Sequence, residues 1–382
     1  MPRSAPTLAL LHHQFGPYHL ARARALRRIY PGTVHLVQLA HSEAIRAWRA
    51  DPGDLAIETA FSGQLETAPS SLVSDGLRQI LERLRPSSIA VAGYAHPAMR
   101  TAARWARRTG TKAILISDSQ ARDVPRRRWK ERLKRAFVSR HFDAAFVSGA
   151  SAAAYVESLG IAGHRIWRGY DVVDNAHFAE RAAQARAKAA TERGALGLPA
   201  RYFLFVGRFA AEKNLAFLIE AFARACRDPA FEGWSLVLVG SGPLQADLAA
   251  RAAPLGARVC WVPFQQIDQL PTYYGLAEGL VLPSLVEPWG LVVNEAMAAG
   301  LPVVVSHRCG CASDLVFPGV NGAIIDEKDA GGLAAALIAL SKDEALRRRY
   351  GERSARLVES FSLETWAAAL SDCGLTLAGQ PR

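Results

Sequence analysis

Tyr202-Phe-Leu-Phe-Val-Gly-Arg-Phe-Ala-Ala-Glu-Lys-Asn214 sets an unbroken apolar run against a glycine, two cations and the start of a helical pattern. A run this short, apolar at every position, reads as a strand covered on both faces, as in a parallel sheet. Five more runs follow at similar spacing: Ser235–Val239, Arg258–Val262, Gly279–Leu282, Pro302–Val305 and Ala323–Ile325, with helical stretches between them. Toward the N-terminus the same alternation holds. Thr7–Leu11, Val34–Leu39, Ile89–Ala92, Ala113–Ile116 and Ala144–Val147 are separated by helical patterns at Pro17–Arg28, Leu77–Leu84, Ala98–Arg108 and Arg126–Arg140. Strands joined by crossover helices imply an α/β fold of two doubly wound sheets. The junction is expected near residue 176, giving domains 1–176 and 177–360, with a last helix, 361–382, packing back on the first. Ala179–Ala195 has no apolar stripe and reads as a solvated helix or linker. Ligands in such folds sit outside the carboxyl ends of the strands, so a site in a cleft between facing domains is expected.

The length, 382 residues and 41.3 kDa, suits two domains. Half of the residues are hydrophobic and 21% are charged, which excludes a disordered chain. No apolar run is long enough for a membrane-spanning helix, and the first residues hold too short an apolar stretch for a secretory signal. The five cysteines are scattered, with Cys309 and Cys311 the one close pair. That excludes a disulfide scaffold and a four-ligand zinc site, and suits a reducing cytoplasm. Residues 1–170 hold 26 Lys and Arg against 12 Asp and Glu, and the remainder 20 against 23, so the net charge of +11 arises in the first half. That half should meet an anionic partner.

Three strand-to-helix loops in the second half carry chemistry. After Tyr202–Val206, Gly207 permits a tight turn, and Arg208 and Lys213 stand beside the next helix, a pairing suited to a diphosphate. Gly240-Ser-Gly-Pro243 is a second glycine loop; it could admit a nucleotide closely, or be a tight turn only. In Pro283-Ser-Leu-Val-Glu-Pro-Trp-Gly-Leu-Val-Val-Asn-Glu295, Gly290 opens a helix. Backbone N–H groups at Trp289, Gly290 and Leu291 then suit phosphate oxygens, while Glu287 and Glu295 can accept from sugar hydroxyls.

Taken together, Gly207-Arg208…Lys213, Gly240-Ser-Gly-Pro243, Leu270-Pro-Thr-Tyr-Tyr274 and the E-x(7)-E pair Glu287…Glu295 resemble the retaining glycosyltransferases of family 4, over roughly residues 165–372. Gly169-Tyr-Asp-Val-Val-Asp-Asn175 with Phe178 is similar to that family's interdomain segment, and Phe361-Ser-Leu-Glu-Thr-Trp366 to its closing helix. The resemblance implies the GT-B architecture, two Rossmann-like domains facing across a cleft. It implies a hexosyltransferase-type enzyme using a nucleotide-diphosphate sugar, with retention at the anomeric carbon and no required metal or cofactor. By position, Arg208 and Lys213 would hold the diphosphate, Glu295 the ribose and Glu287 the donor sugar, with Phe264 to Gln266 framing the base.

The first half resembles the family less closely. His13-Gln-Phe-Gly-Pro-Tyr-His19 has one glycine, Gly16, where the family more often has two; Gly16 would let backbone approach the donor phosphate, and Tyr18 and His19 could reach an acceptor. His96, before Pro97, is an acceptor candidate or a turn residue. Asp118 and Ser119 stand where many members have a histidine near the reacting centre, so Asp118 is expected to assist there or, alternatively, to cap the next helix. Arg126–Arg140 is a basic helix with Trp129, Leu133, Ala136 and Phe137 on one face. It could rest on anionic headgroups, bind a phosphorylated or lipid-linked acceptor, or simply pack on the core. Nucleic acid is disfavoured, since no recognition motif is present.

The expectation is therefore a cytoplasmic transferase, peripheral at the inner face of the plasma membrane, acting in polysaccharide, lipopolysaccharide or glycolipid assembly. Two alternatives stay open. A nucleotide-sugar epimerase of this architecture would use His19, His96 and Asp118 as acid and base. A non-catalytic membrane-surface protein would need none of the motif residues.

Overall fold

The computed structural model describes residues 5–43, 48 and 50–379. The chain forms two units, Met1–Val172 with Leu363–Arg382, and Val173–Ser362. The first contains β1 (Thr7–His12), α1 (Pro17–Ile29), β2 (Thr33–Ser42), β3 (Ile57–Gln64), α2 (Ser70–Leu84), β4 (Ser88–Ala92), α3 (Pro97–Thr109), β5 (Lys112–Ser117), α4 (Arg128–His141), β6 (Ala144–Val147), α5 (Ala150–Ser158) and β7 (Ile166–Arg168). The second contains α6 (Asn175–Ala187), α7 (Ala189–Leu196), β8 (Arg201–Val206), α8 (Leu215–Ala225), β9 (Trp234–Val239), α9 (Gln245–Ala252), β10 (Val259–Val262), α10 (Leu270–Leu276), β11 (Gly279–Leu282), α11 (Leu291–Ala298), β12 (Val303–Ser306), α12 (Ala312–Leu315), β13 (Gly322–Ile325), α13 (Ala330–Lys342) and α14 (Glu344–Val358). The last helix, α15 (Leu363–Ala378), returns to the first unit.

Both sheets are parallel throughout. Their orders are β3-β2-β1-β4-β5-β6-β7 and β10-β9-β8-β11-β12-β13. In each, the chain winds one way from a central strand and then restarts on that strand's other side. The restart lies between β1 and β4 in the first sheet and between β8 and β11 in the second. Loops leaving the carboxyl ends of such neighbours diverge and open a crevice, which is where ligands of doubly wound sheets bind. Three of the motif loops leave β8, β9 and β11.

The apolar runs of the second half all became strands; β8, β9, β11 and β12 are buried on both faces, with Leu204, Leu236, Val281 and Val304 in the core, while the edge strands β10 and β13 are partly half-buried. Two strands of the first sheet escaped the reading. β3 carries Glu58, Thr59 and Ser62 on a half-buried edge, and β7 is only three residues long. The stretch read as a solvated helix or linker is corrected in its first part only, since α7 is a helix that buries no residue. α6 buries Phe178, Ala182 and Ala185 and lies against α10 so closely that a Cβ on Gly275 would come within 2.5 Å of the Ala182 carbonyl oxygen. Small residues make that contact, so no apolar stripe announces it. Among the described residues, no helix is long and apolar enough to cross a membrane.

Candidate active site

In the second unit, β8 and β11 deliver their loops side by side, and main-chain bonds join them. Leu285 and Val286 N–H both donate to the Glu212 carbonyl, at 2.8 and 3.3 Å. Asn214, at φ 57°, reaches across to the Pro283 and Glu327 carbonyls through Nδ2, at 3.3 and 3.1 Å. This lacing brings Lys213 Nζ into a hydrogen-bonded ion pair with Glu287 Oε2. The Ser284 hydroxyl donates to the same oxygen at 3.3 Å. Glu287 is 8% exposed, so its charge is largely withdrawn from water and depends on these partners. Arg208 stands at the mouth of the same turn. It is exposed, and its guanidinium has no partner among the described residues.

The Glu287 loop is closed from the far side by Gly310 N–H, which donates to the Glu287 carbonyl at 2.9 Å. Beside it, the Cys309 thiol is pushed up to about 12, by burial first and then by the Glu287 charge. It stays protonated and donates to the Leu282 carbonyl at 3.5 Å, so it stiffens the loop and supplies no nucleophile. Gly290 precedes α11 at φ 106°, and a Cβ there would sit 3.1 Å from Leu282 Cδ2 and 3.3 Å from Glu287 Cγ. Glycine thus lets the helix start directly behind the carboxylate. No side chain caps α11, so the backbone N–H groups of its first turn, Leu291 foremost, form its positive end. Trp289 is buried, with Nε1 donating to Asn294 Oδ1 at 2.9 Å and its ring against Phe361.

Glu295 is placed differently from Glu287. It is 1% exposed, and one oxygen accepts from the buried Tyr274 hydroxyl at 2.7 Å. The two carboxylates of the E-x(7)-E pair therefore have separate partners, one an ammonium and one a phenol. Gly240 and Gly242 have a clear packing role. A Cβ on Gly240 would lie 1.9 Å from the Gly207 carbonyl oxygen, and one on Gly242 2.4 Å from that of Phe209. The loops after β8 and β9 thus pack backbone on backbone. Phe264 is exposed, while Gln266 turns the loop after β10, with its N–H donating to Gln269 Oε1 at 3.2 Å.

In the first unit the loops after β1 and β4 also meet. The His13 and His96 rings are 5.9 Å apart, and His13 Nδ1 lies 3.5 Å from Oε1 of the buried Glu43. The open face expected at Gly16 is covered: a Cβ there would be 2.8 Å from the Trp48 indole, and Gly16 N–H donates to His19 Nδ1 at 3.1 Å. Tyr18 is half-buried in the first turn of α1. Asp118 is exposed and caps no helix, because α4 starts only at Arg128, after Arg127; the half-buried Ser119 instead donates its N–H to Ser117 Oγ at 3.2 Å. The sequence reading passed over His13, Glu43 and Trp48, which carry no spacing signal, and Ser284, whose role appears only once Glu287 is placed.

His96 caps α3, its Nδ1 accepting Ala98 N–H at 3.1 Å, so that nitrogen is unprotonated and Nε2 carries the hydrogen. Burial, then His13 and Arg100, lower its pKa from the ordinary histidine value of 6.5. On acidification the unfolded chain takes up this proton first. The cap's contribution is therefore present at neutral pH and is lost as pH falls through 6.5 toward the lower folded value. His96→Ala should lower stability by about 1 kcal/mol at neutral pH, and His96→Asn should restore most of it and flatten the acid side of the profile. Urea midpoints across that range check both.

Residues 190–357 match the family described as glycosyl transferases group 1. The chain is 34% identical over 209 residues to a D-inositol 3-phosphate glycosyltransferase of Salinispora arenicola, covering 52% of this chain and 46% of that protein. It is 34% identical over 193 residues to the lipopolysaccharide core biosynthesis glycosyltransferase LpsE of Rhizobium meliloti, covering 49% and 53%. These matches span about half the length of the curated relatives. Across the whole fold, HepE of Anabaena, solved in complex with UDP and glucose, superposes with a TM-score of 0.75 at 17% identity, covering 97% of this chain and 99% of that one. Sucrose-phosphate synthase of Thermosynechococcus elongatus gives 0.69 at 22%, covering 97% and 99%. The chain is thus similar to the group 1 glycosyl transferases over residues 190–357, and its two parallel-sheet units have the GT-B fold of solved glycosyltransferases.

Proposed function

We propose that this protein transfers a sugar from a nucleotide-diphosphate donor to a hydroxyl acceptor, with retention at the anomeric carbon, in the assembly of a polysaccharide, lipopolysaccharide or glycolipid. The observation that carries this reading is the Lys213–Glu287 pair, built where the loops after the neighbouring strands β8 and β11 are laced together at the restart point of the second sheet. The relatives that match the sequence and the UDP-bound neighbours that match the fold support it.

The residues have distinct parts. Departure of a nucleoside diphosphate concentrates negative charge on its terminal phosphate. Lys213, Arg208 and the positive end of α11 stabilise that charge where it develops. Glu287, with Ser284, holds the Lys213 ammonium in place and offers its second oxygen to the donor sugar. Glu295, fixed by Tyr274, takes the ribose, and Phe264 with Gln266 borders the base. The acceptor hydroxyl attacks the face that the diphosphate leaves, and its proton passes to the departing phosphate oxygen. The protein then needs no strong base, and positive charge at the phosphates comes from side chains, with no metal required. The first unit supplies acceptor recognition through Tyr18, His19, His96, Ser119 and Asp118. The epimerase alternative would ask His19 and His96 to move protons at a sugar, yet one ring nitrogen of each already accepts a backbone N–H.

Thermal shift with UDP, GDP and ADP and with their sugars tests the donor. One base should raise the melting temperature, corresponding to about 2.7 kcal/mol at a hundredfold excess over the dissociation constant. No shift with any of them, alongside no nucleoside diphosphate release with acceptor, would overturn the reading.

A further inference from the structure

The basic helix of the first unit is not oriented as its apolar spacing suggested. Trp129 is 56% and Leu133 62% exposed, and Ala136 is exposed with them; of the four residues that the sequence groups on one face, Phe137 alone packs, near Tyr94 and Phe142. The wholly buried Val138 joins Phe137 on the inward side, and a polar network lies beside them. Glu131 accepts from Lys134 Nζ and from the Tyr155 hydroxyl, both at 2.8 Å. Arg126 donates to the same hydroxyl at 2.7 Å and lies over that ring. With this network and Val138 on the inner side, Trp129 and Leu133 lie in water.

Two rows result, one residue out of step. Arg128, Arg132 and Arg135, spaced by four and three, form a cationic row. All three are exposed and have no side-chain partner among the described residues. Trp129, Leu133 and Ala136 form an apolar row with the same spacing. Beneath the cationic row lies a cavity of about 390 Å³ lined by Arg126, Arg128, Arg132, Arg135 and Tyr155, with Glu131 at its wall already neutralised by Lys134. A face that sets apolar side chains in water beside unpaired guanidiniums over an arginine-lined hollow fits an interface that is apolar inside and phosphate-rich at its edge. A soluble phosphate would leave the apolar row unexplained, and a lone indole is no stacking platform for nucleic acid.

We propose that the exposed face of α4 docks on an anionic lipid surface, with a headgroup phosphate entering the arginine-lined cavity and Trp129 and Leu133 entering the acyl boundary. This goes beyond the transfer reaction and stands independently of it. Co-sedimentation with vesicles of phosphatidylcholine, alone or mixed with phosphatidylglycerol, tests it. The protein should bind the mixed vesicles, less at high salt, and leave the neutral ones in solution. Arg128→Ala, Arg132→Ala and Arg135→Ala together should weaken binding about a hundredfold, at roughly fivefold for each cation near such a surface. Trp129→Ser with Leu133→Ser should weaken it by about tenfold. Both variants should keep the wild-type melting temperature and nucleotide response, which separates failure here from failure of the donor assignment. Equal binding to both vesicle types, or unchanged binding by either variant, would overturn the proposal; full retention of binding by the Trp129→Ser/Leu133→Ser protein would leave only a phosphate or polyanion site.

Discussion

Lys213→Ala should lower sugar transfer by about two to three orders of magnitude, as removal of one pre-placed charge at a developing anion does elsewhere. Lys213 is held before substrate arrives, by Glu287 on one side and by the short turn Ala211–Lys213 beneath it. Its ammonium therefore needs no reorganisation when the phosphate becomes more negative. The same substitution takes the ammonium from the buried Glu287 carboxylate and leaves the Ser284 hydroxyl on that oxygen, so stability should fall as well, by about 2 kcal/mol. The two effects separate in the double variant Lys213→Ala/Glu287→Gln. Neutralising the carboxylate should recover stability, whereas transfer should stay low. Initial rates of nucleoside diphosphate release, together with urea midpoints, read both quantities. A Lys213→Ala protein that turns over donor at the wild-type rate would remove the ion pair from the mechanism.

Gly240→Ala should be severely damaging to the second unit. The added carbon would stand 1.9 Å from the Gly207 carbonyl oxygen and 3.1 Å from the Phe209 ring, and Gly240 has φ 148°, a conformation alanine resists. Backbone cannot swing aside as a side chain can. Relief must come from parting the loops after β8 and β9, which Phe209 N–H and Leu244 N–H hold together at 2.8 and 3.1 Å. Overpacking with backbone strain should cost about 3 kcal/mol or more. Because Lys213 stands on the displaced loop, nucleotide-induced stabilisation should weaken too. Gly256→Ala is the control, since nothing lies within 4 Å of a Cβ there. It also has positive φ, at 53°, so a similar loss in both variants would assign the effect to backbone conformation and not to the close approach.

The sheets were legible because parallel strands buried on both faces leave continuous apolar runs, and Tyr202–Val206 and Ser235–Val239 could be little else. β3 was not, because an edge strand can carry Glu58, Thr59 and Ser62 without cost. The cations and carboxylates of the candidate site were legible as loop residues after strands. Their pairing was not: nothing local says that Lys213 and Glu287 meet while Glu295 turns to Tyr274, since β8 and β11 become neighbours only through the winding order of the sheet. The exposure of Trp129 and Leu133 on α4 was hidden for another reason. Beside the buried Val138, Glu131 and Lys134 turn inward to Tyr155 of α5, and a polar network of that kind leaves no trace in a count of apolar positions.

The route of the chain has a consequence during synthesis. α15 covers the first unit with Trp366, Leu370, Cys373 and Leu377, packing on α1 and β6, where Trp366 meets Phe146 at 5.7 Å and Asp372 accepts from the Trp167 indole. A nascent chain leaving the ribosome thus has every strand of its first sheet long before the helix that shields it. The second unit, continuous along the polypeptide, closes earlier although it is translated later. Until α15 emerges, the flank of α1 and Phe146 stays bare, which makes that interval the one in which a holding chaperone has most to protect.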